Sequence, residues 1–195
     1  MRGIIMAGLE KMRITGGTAK GHPLKTPKSA AVRPTTDRVR EAIFSILSSL
    51  GADWSRCLDL FAGSGALGIE ALSRNSTWVD FVDREPECCA IIRDNLTRTG
   101  FLQKAHVYCC SVSKALSFLA SRYDVVFLDP PYTDKSAEDV IRQIAVSKLI
   151  DSNSVVVISH ASRNRLQEKY DGLSLLKEKR YGDTCISIFH KEVTS

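Results

Sequence analysis

Four consecutive residues, Asp129-Pro130-Pro131-Tyr132, follow the apolar run Val125–Leu128 and combine a carboxylate, a rigid turn and an aromatic ring. The exocyclic amine of a nucleic-acid base is a poor nucleophile because its lone pair is delocalised into the ring. A carboxylate and a backbone carbonyl that each accept one N–H hold such a nitrogen and stabilise the charge that develops on it. Proline fixes the turn, and Tyr132 can stack on a base that has left its helical stack. The tetrad therefore predicts chemistry on a base amine; taken alone, it could also be a Pro-Pro turn that merely ends a strand.

The segment Cys57–Gly68 runs from an apolar strand through a glycine-rich turn into a helix. Gly63 and Gly65 allow the backbone to approach a ligand closely, and Gly68 allows the helix to pack tightly on its strand. Dinucleotides and mononucleotides are bound by similar turns. The turn alone therefore predicts a nucleotide-like ligand without choosing between them.

Two aspartates accompany this turn: Asp59 lies in the preceding strand, and Asp83 ends the next strand, about twenty residues past the turn. That spacing is typical of a carboxylate that accepts ribose hydroxyls; the alternative for Asp83 is a helix N-cap ahead of Arg84–Pro86. A negative charge beside the turn favours the ammonium and sulfonium groups of S-adenosylmethionine over the pyrophosphate of NAD. S-adenosylmethionine is therefore the predicted cofactor. Its predicted contacts here are Asp59, Phe61, Ala62, Gly63, Ser64, Gly65, Asp83, Arg84 and Asp129.

The tetrad and the glycine-rich turn lie about 65 residues apart, and their pairing decides the predicted class. Together they indicate an S-adenosylmethionine-dependent methyltransferase that acts on an exocyclic amino group. The sequence contains no Pro-Cys dipeptide, which argues against the covalent route used on pyrimidine carbons.

The bulk properties are those of an ordinary globular chain. Its 195 residues fit one domain, and no apolar run approaches the roughly 20 residues of a membrane helix. Residues 1–11 lack the features of a secretory signal, so we expect a cytoplasmic protein. These residues are expected to be a disordered extension. We also expect a monomer with no membrane partner. The six cysteines form no CxxC pattern and the four histidines are scattered, so no metal site is expected.

Past residue 55, β-rich runs alternate with helical patterns, which predicts a doubly wound, mostly parallel α/β sheet within residues 51–195. The predicted strands are Arg56–Phe61, Thr77–Asp83, Ala105–Cys110, Tyr123–Asp129, Ser154–Ser159, Leu173–Arg180 and Thr184–His190. The predicted helices are Leu67–Ser73, Glu87–Thr99, Val112–Ser121 and Ser136–Lys148. The last two strands, joined by a turn at Tyr181–Asp183, are expected to form an antiparallel hairpin.

Residues 12–50 are predicted to form a small appendage ahead of the sheet. Arg13–Lys28 is expected to be a hairpin, and Thr36 or Asp37 is expected to cap a helix that ends at Leu50. From residue 13 to residue 40 there are seven basic residues against one acidic residue. Such a cluster matches a phosphate backbone, although a solvated surface is the alternative. The candidate RNA contacts are Lys20, Lys25, Arg33, Arg38 and Arg40.

With these residues in place, the chain resembles the RsmD family of bacterial small-subunit rRNA guanine-N2 methyltransferases from Met12 to Phe189. The resemblance rests on the segments MRITGGTAKGHPL, RPTTDRVREAIFSIL, LDLFAGSGALGIEALSR, FLDPPY and RYGDT. It implies a class I methyltransferase fold with a sheet of the seven-stranded type. It also implies methylation of the guanine at position 966 of 16S rRNA on an assembling 30S subunit, and a role for Arg33–Glu41 in covering the cofactor and holding RNA.

Two positions depart from the pattern of that family. After the third strand, relatives usually carry an acidic residue that contacts adenine, whereas this chain has Ser111 followed by Val112. The adenine contact is therefore expected from the backbone of this segment. After the fifth strand, many relatives carry Glu where this chain reads Ile158-Ser159-His160. His160 is expected either to face the cleft or to be a surface histidine.

Two alternative functions stay open. DNA adenine-N6 methyltransferases share the tetrad, but they commonly carry a target-recognition insertion for which this chain has no room. A noncatalytic RNA-binding assembly factor is an alternative of another class, and such a protein would need neither the tetrad nor the glycine-rich turn.

Overall fold

A computed structural model of the protein describes residues 12–27, 36–131 and 137–192. The predictions made for residues 1–11, for Arg33 and for Tyr132 lie outside these ranges. No helix within them has the length and apolar character needed to cross a membrane.

The described residues form one sheet of eight strands with five α-helices. The strands are β1 Arg56–Leu60, β2 Trp78–Asp83, β3 Ala105–Cys109, β4 Val125–Leu128, β5 Val155–Ala161, β6 Lys169–Tyr170, β7 Leu173–Tyr181 and β8 Thr184–Lys191. The helices are α1 Asp37–Ser49, α2 Ala66–Ser73, α3 Pro86–Thr99, α4 Val112–Phe118 and α5 Ala137–Val146. The strand order is β3-β2-β1-β4-β5-β8-β7-β6. The first five strands in this order are parallel, and the last three pair antiparallel.

Helices cover both faces of the sheet because its inner strands carry apolar side chains on both faces. Every residue of β4 is buried. Phe127 packs in an apolar cluster with residues of α1, α2 and α3, whereas Val126 and Leu128 pack on the other face with residues of α4 and α5. Successive side chains of a strand point to opposite faces, so a single apolar run supplies both cores. The predicted doubly wound architecture is confirmed.

The element ends differ from the predictions in a few places. The strand β6 was not predicted because two residues are too few to show a periodic pattern, although its Tyr170 is buried. Helix α4 ends at Phe118 rather than Ser121, since Leu119 already has extended backbone (φ −63°, ψ 135°). Helix α1 begins as predicted: the Thr36 hydroxyl accepts a hydrogen bond from the backbone N–H of Val39 (3.4 Å).

The N-terminal segment forms a small hairpin, as predicted. Within the described residues 12–27 it has a single antiparallel bridge, between Arg13 and Pro23. Backbone N–H groups bond across it from Ile14 to the His22 carbonyl (3.0 Å), from Leu24 to the Met12 carbonyl (2.8 Å) and from Gly21 to the Ile14 carbonyl (2.8 Å). A turn that includes Gly17 at φ 78° joins its two sides.

A buried carboxylate, Glu70 of α2, fixes this segment to the domain. It accepts hydrogen bonds from the backbone N–H of Thr15 (2.8 Å), from the Thr15 hydroxyl (2.7 Å) and from Nε of Arg74 (2.9 Å). One turn further along α2, the Ser73 hydroxyl accepts from the backbone N–H of Ala19 (2.9 Å). The segment also contributes to the same apolar cluster as α1, α2 and α3, so it is held firmly over α2.

Candidate functional site

The glycine-rich turn between β1 and α2 adopts a backbone that few residue types tolerate. Phe61, Gly63 and Gly65 have φ values of 59°, 55° and 76°, in the left-handed region that glycine enters freely and a bulky residue enters at a cost. A Cβ added at Gly68 would overlap the Phe81 ring of β2, which confirms that this glycine permits close packing of helix on strand. The turn follows β1 directly and therefore lies at the carboxyl edge of the sheet, where ligands bind in such folds.

Asp83 joins the turn to the start of α3. Its Oδ2 accepts a hydrogen bond from the backbone N–H of Gly63 (2.8 Å), and its Oδ1 accepts one from the backbone N–H of Glu85 (2.9 Å). The N-cap of α3 is Glu85 rather than Asp83. Asp83 instead stabilises the turn that precedes the helix. Each carboxylate oxygen has a second acceptor position, which leaves capacity for the predicted ribose hydroxyls.

Asp59 is the second-to-last residue of β1 and is almost fully buried, with 1% of its surface exposed. Its Oδ2 accepts from the backbone N–H of Gly68 (2.9 Å) in the first turn of α2. Burial raises the pKa of Asp59 well above its usual value; the Gly68 hydrogen bond opposes that rise, and the negative charges of Asp129 and Asp83 add to it. Three carboxylates therefore lie within electrostatic range of one another at the turn.

This concentration of negative charge determines which kind of cofactor can bind at the turn. A pyrophosphate placed at the turn would be repelled by the carboxylates of Asp59, Asp83 and Asp129. The ammonium and sulfonium of S-adenosylmethionine would instead lower the cost of keeping these groups ionised. The residues present therefore fit a cationic cofactor.

The tetrad begins where β4 ends, beside the end of β1. The backbone N–H of Asp129 lies 3.5 Å from the Leu60 carbonyl, continuing the β1–β4 pairing. The Asp129 side chain is half-buried, Pro130 is buried and Pro131 is exposed. The structure thus brings Asp129 to the same edge as Asp59 and Asp83, as their spacing predicts.

The prediction that Ser64 contacts the cofactor needs a correction for its side chain. Its hydroxyl donates to Sδ of Met12 (3.4 Å), and its carbonyl accepts from Nδ2 of Asn95 (3.0 Å). Asn95 also exchanges two hydrogen bonds with the backbone of Lys25 (2.9 and 3.0 Å). The Ser64 side chain therefore faces the N-terminal segment, which leaves its backbone N–H as the group a cofactor could contact. The sequence analysis missed Asn95, although a lone amide within the apolar stripe of α3 is a detectable signal.

Ser111 and Val112 lie where β3 passes into α4, next to Asp83. Ser111 is exposed and is the N-cap of α4, its hydroxyl accepting from the backbone N–H of Lys114 (3.3 Å), while Val112 is buried. The N–H of Cys110 donates to the Asp83 carbonyl (3.0 Å), which ties the segment to the predicted ribose site. Arg84 is exposed and pairs with Glu85 (3.1 Å).

The predicted RNA contacts fall into different environments. Lys20 is exposed, and Lys25 is half-exposed and pairs with Asp94 (2.9 Å), lowering the pKa of that carboxyl. Arg38 is exposed at the start of α1. Arg40 is fully buried and contacts the Arg13 carbonyl and the carboxylates of Asp37 (2.7 Å) and Glu70 (3.8 Å). The prediction that Arg40 binds RNA is therefore wrong, because its charge is used inside the protein.

Two residues of the β7–β8 hairpin that were not predicted as site residues, Lys179 and Tyr181, lie beside the predicted Arg38. The Arg38 guanidinium lies 6.0 Å from the centre of the Tyr181 ring, and Nζ of Lys179 lies 5.4 Å from it. We call Arg38, Lys179 and Tyr181 the Tyr181 patch. Tyr181 pairs with Thr184, which pairs with Ala161 at the carboxyl end of β5, so this patch lies at the carboxyl edge of the sheet. The run of basic residues in β7 was the available signal.

His160 lies at the carboxyl end of β5 and is neither exposed nor isolated. It is 7% exposed, and its Nε2 lies 2.9 Å from the Ser187 hydroxyl of β8. The expectation of a surface histidine is wrong, because β8 pairs alongside β5 and places Ser187 against the imidazole ring.

Solved structures of other proteins share this fold. The structure of YhhF from Escherichia coli superimposes with a TM-score of 0.82 at 30% identity and covers 94% of this chain and 99% of that chain. The structure of SMU.776 in complex with S-adenosylhomocysteine is only 13% identical, with a TM-score of 0.60 over 69% of this chain and 44% of that chain, and supports the fold alone. Strand order, turn and neighbours together define the class I, Rossmann-like methyltransferase fold.

The family follows from sequence comparison. The model of the family described as Conserved hypothetical protein 95 matches residues 12–190, and the chain belongs to this family, the RsmD family. Ribosomal RNA small subunit methyltransferase D of Escherichia coli is 32% identical over 95% of this chain and 93% of that protein. The protein of the same name in Haemophilus influenzae is 34% identical over 88% of this chain and 90% of that protein. YlbH of Bacillus subtilis is 35% identical over 92% of this chain and 99% of that protein.

Proposed function

We propose that the protein transfers a methyl group from S-adenosylmethionine to the exocyclic N2 of a guanine in 16S rRNA, on the assembling 30S subunit. The observation that carries the proposal is the meeting of Asp59, Asp83 and Asp129 around the glycine-rich turn, with Asp129 opening the tetrad. The relatives named for small-subunit rRNA methylation support the choice of substrate.

In this proposal the turn and its carboxylates hold the cofactor. Asp83 accepts the ribose hydroxyls, Asp59 places a negative charge opposite the ammonium group, and the backbone of Ser111 and Val112 contacts the adenine. When bound, the cofactor supplies an electrophilic methyl group on its sulfonium. The fixed backbone of Gly63 and Gly65 sets where that methyl group lies relative to Asp129.

The tetrad holds the nitrogen that is methylated. The Asp129 carboxylate accepts one N–H of the guanine amine, and a backbone carbonyl of the tetrad, left free by Pro130, accepts the other. These contacts strengthen as positive charge develops on the nitrogen, so they stabilise the transition state more than the bound substrate. Asp129 is also placed to take the proton that the methylated nitrogen must release. Tyr132 stacks on the extruded base.

The RNA backbone is held by basic residues on the same edge of the sheet. The Tyr181 patch lies at the carboxyl edge, where the tetrad also opens, and its Arg38 and Lys179 are exposed. Lys20 of the N-terminal segment is exposed as well. Cations at this edge contact phosphates flanking the target nucleotide and set its position without reading its sequence.

Mass mapping of 16S rRNA from cells with and without the gene tests this function. We expect one N2-methylguanosine to be absent when the gene is deleted and to return when the gene is restored. Loss of a methyl group from adenine, or from DNA, would instead favour an adenine-N6 methyltransferase. An unchanged methylation pattern would favour a noncatalytic assembly factor.

A further inference from the structure

Three adjacent strands bring metal-ligating side chains together beyond the predicted methyltransferase site. His160 of β5 pairs in register with Cys185 of β8. Glu178 of β7 pairs with Ser187, two residues along β8 and therefore on the same face as Cys185. One ligand atom from each of His160, Glu178 and Cys185 lies within 4.8 Å of the other two. His160 and Cys185 are buried, and Glu178 reaches the cluster from the exposed side of β7.

The imidazole of His160 is oriented as a metal ligand would be. Its Nδ1 lies 3.1 Å from the backbone carbonyl of Ala161, and its Nε2 points at the Ser187 hydroxyl (2.9 Å). A hydrogen bond from Nδ1–H to a backbone carbonyl fixes the ring and leaves Nε2 as the coordinating atom, a common arrangement around protein-bound metals.

The Ser187 hydroxyl lies between two of these ligands: it is 2.9 Å from Nε2 of His160 and 2.8 Å from Oε2 of Glu178. The imidazole and the carboxylate therefore converge on one point, beside the register position of Cys185.

The same residues do not form a hydrolytic triad. In such a triad the acid contacts the imidazole nitrogen that faces away from the serine. Here Glu178 contacts Ser187 itself, and the far nitrogen of His160 faces a backbone carbonyl. Ser187 is also fully buried, so no substrate reaches its hydroxyl.

We propose that His160, Glu178 and Cys185 bind one zinc ion. Imidazole, thiolate and carboxylate are the ligands that zinc prefers, at bond lengths of about 2.0–2.3 Å, which places ligand atoms of a tetrahedral site roughly 3.3–3.8 Å apart. Small side-chain movements reach that geometry from the observed spacing. A thiolate and a carboxylate balance the two charges of zinc, as a largely buried site requires. Water or the Ser187 hydroxyl completes the coordination.

The zinc ion would connect β5, β8 and β7, and so fix the antiparallel hairpin to the parallel sheet. Arg180, opposite Cys185 on β7, donates its Nε–H to the Gly182 carbonyl (2.8 Å), which holds its positive charge toward the turn. Such a site escapes a search for CxxC spacing because each ligand comes from a different strand.

Titration of the metal-free protein with Co²⁺, followed by displacement with Zn²⁺, tests the proposal. We expect a thiolate-to-cobalt charge-transfer band and the visible bands of a tetrahedral site, both saturating at one equivalent and abolished by zinc. The variants Cys185→Ser, His160→Gln and Glu178→Gln should each bind zinc at least about tenfold more weakly. The matched controls Cys109→Ser and His106→Gln, at exposed positions on β3, should bind zinc as the unaltered protein does.

The cobalt and zinc titrations of the unaltered protein are enough to overturn the proposal, even if some variants do not fold. Absence of the thiolate band, or zinc affinity no better than that of free histidine and cysteine, would show that these three side chains do not form a metal site. A band that survives in Cys185→Ser and disappears in Cys109→Ser would place the metal elsewhere. Circular dichroism of each variant identifies any that do not fold.

Discussion

At the scale of single residues, Asp83 connects the turn, the start of α3 and the predicted ribose site. Its two oxygens already accept from the backbone N–H groups of Gly63 and Glu85, so its geometry is set before a ligand arrives. A preorganised acceptor loses little freedom on binding, which makes it an effective contact. The sequence predicted the position of this carboxylate but not these two partners.

Replacing Asp83 with Ala should weaken cofactor binding about 10- to 100-fold. Losing this charged acceptor of hydrogen bonds from the ribose should cost roughly 1.5–3 kcal/mol in total. Calorimetric titration with S-adenosylmethionine measures the effect. Asp83→Asn is the matched control, since its amide oxygen can still accept one of the backbone N–H bonds and should retain part of the affinity. Unchanged binding in Asp83→Ala would mean that this residue serves only the turn.

Asp59 should make the protein less stable as the pH rises. Its pKa is raised in the folded state, mainly by burial, so the folded state holds its proton more tightly than the unfolded chain does. The stability contributed by that proton is complete below about pH 4, the pKa of an unfolded aspartate, and is lost as the pH rises through the folded pKa.

Asp59→Asn should therefore be more stable than the unaltered protein at neutral pH, with the difference shrinking toward pH 4, and should bind the cofactor more weakly. Urea unfolding across a pH series, without cofactor, measures the first effect. Asp139→Asn, at an exposed position on α5, is the control. A stability difference that does not vary with pH would contradict this explanation.

At the scale of elements, the N-terminal segment depends on a close approach to α2. Gly17 and Gly21 both have positive φ, at 78° and 88°. A Cβ at Gly17 would overlap the backbone carbonyl of Ser73, whereas a Cβ at Gly21 would meet no atom within 4 Å. The two glycines thus share a conformation and differ in their surroundings.

Gly17→Ala should destabilise the protein clearly more than Gly21→Ala. Both variants carry the strain of a left-handed alanine, about 1–2 kcal/mol, but only the first forces the segment away from α2. The free energy of unfolding from denaturant titration gives the comparison. Equal losses would mean that the contact with Ser73 adjusts without cost.

The elements that were predicted well are those whose signal is local. Buried parallel strands such as Val125–Leu128 are continuous apolar runs, and the helix cap at Thr36 is visible in its own sequence. The burial of Arg40 has no local signal, because a basic residue on a helix usually faces solvent and its partner Glu70 is thirty positions away. The three-strand cluster at His160 was missed for the same reason, since only the register of β5, β8 and β7 assembles it.

At the scale of the whole molecule, charge is distributed between two edges of the sheet. Arg38 and Lys179 lie at the carboxyl edge with the tetrad, while Lys104 and Arg122 precede β3 and β4 and so lie at the amino edge. All four are exposed. The position of a charge therefore separates residues that can hold substrate RNA from those that only face solvent.

Arg38→Gln combined with Lys179→Gln should weaken RNA binding and flatten its salt dependence. Removing one phosphate-binding cation should reduce the slope of log affinity against log salt by roughly 0.7–0.9. Binding of 16S rRNA fragments across a salt series provides the slope. The double variant Lys104→Gln with Arg122→Gln removes the same charge from the amino edge and should leave the slope nearly unchanged. Equal effects of the two double variants would indicate nonspecific attraction by net charge.

In the proposed function, Asp129 takes part directly in methyl transfer to a guanine amine. Purified protein and its Asp129→Asn variant can be incubated with unmethylated 30S particles and S-adenosylmethionine, and the rRNA digested for nucleoside mass spectrometry. We predict N2-methylguanosine as the product, formed about 100- to 1000-fold more slowly by the variant, with cofactor affinity nearly unchanged. A methylated adenine as product would contradict the proposed substrate. A variant that keeps more than about a third of the rate would contradict the role of Asp129, because its loss would be far smaller than the predicted range.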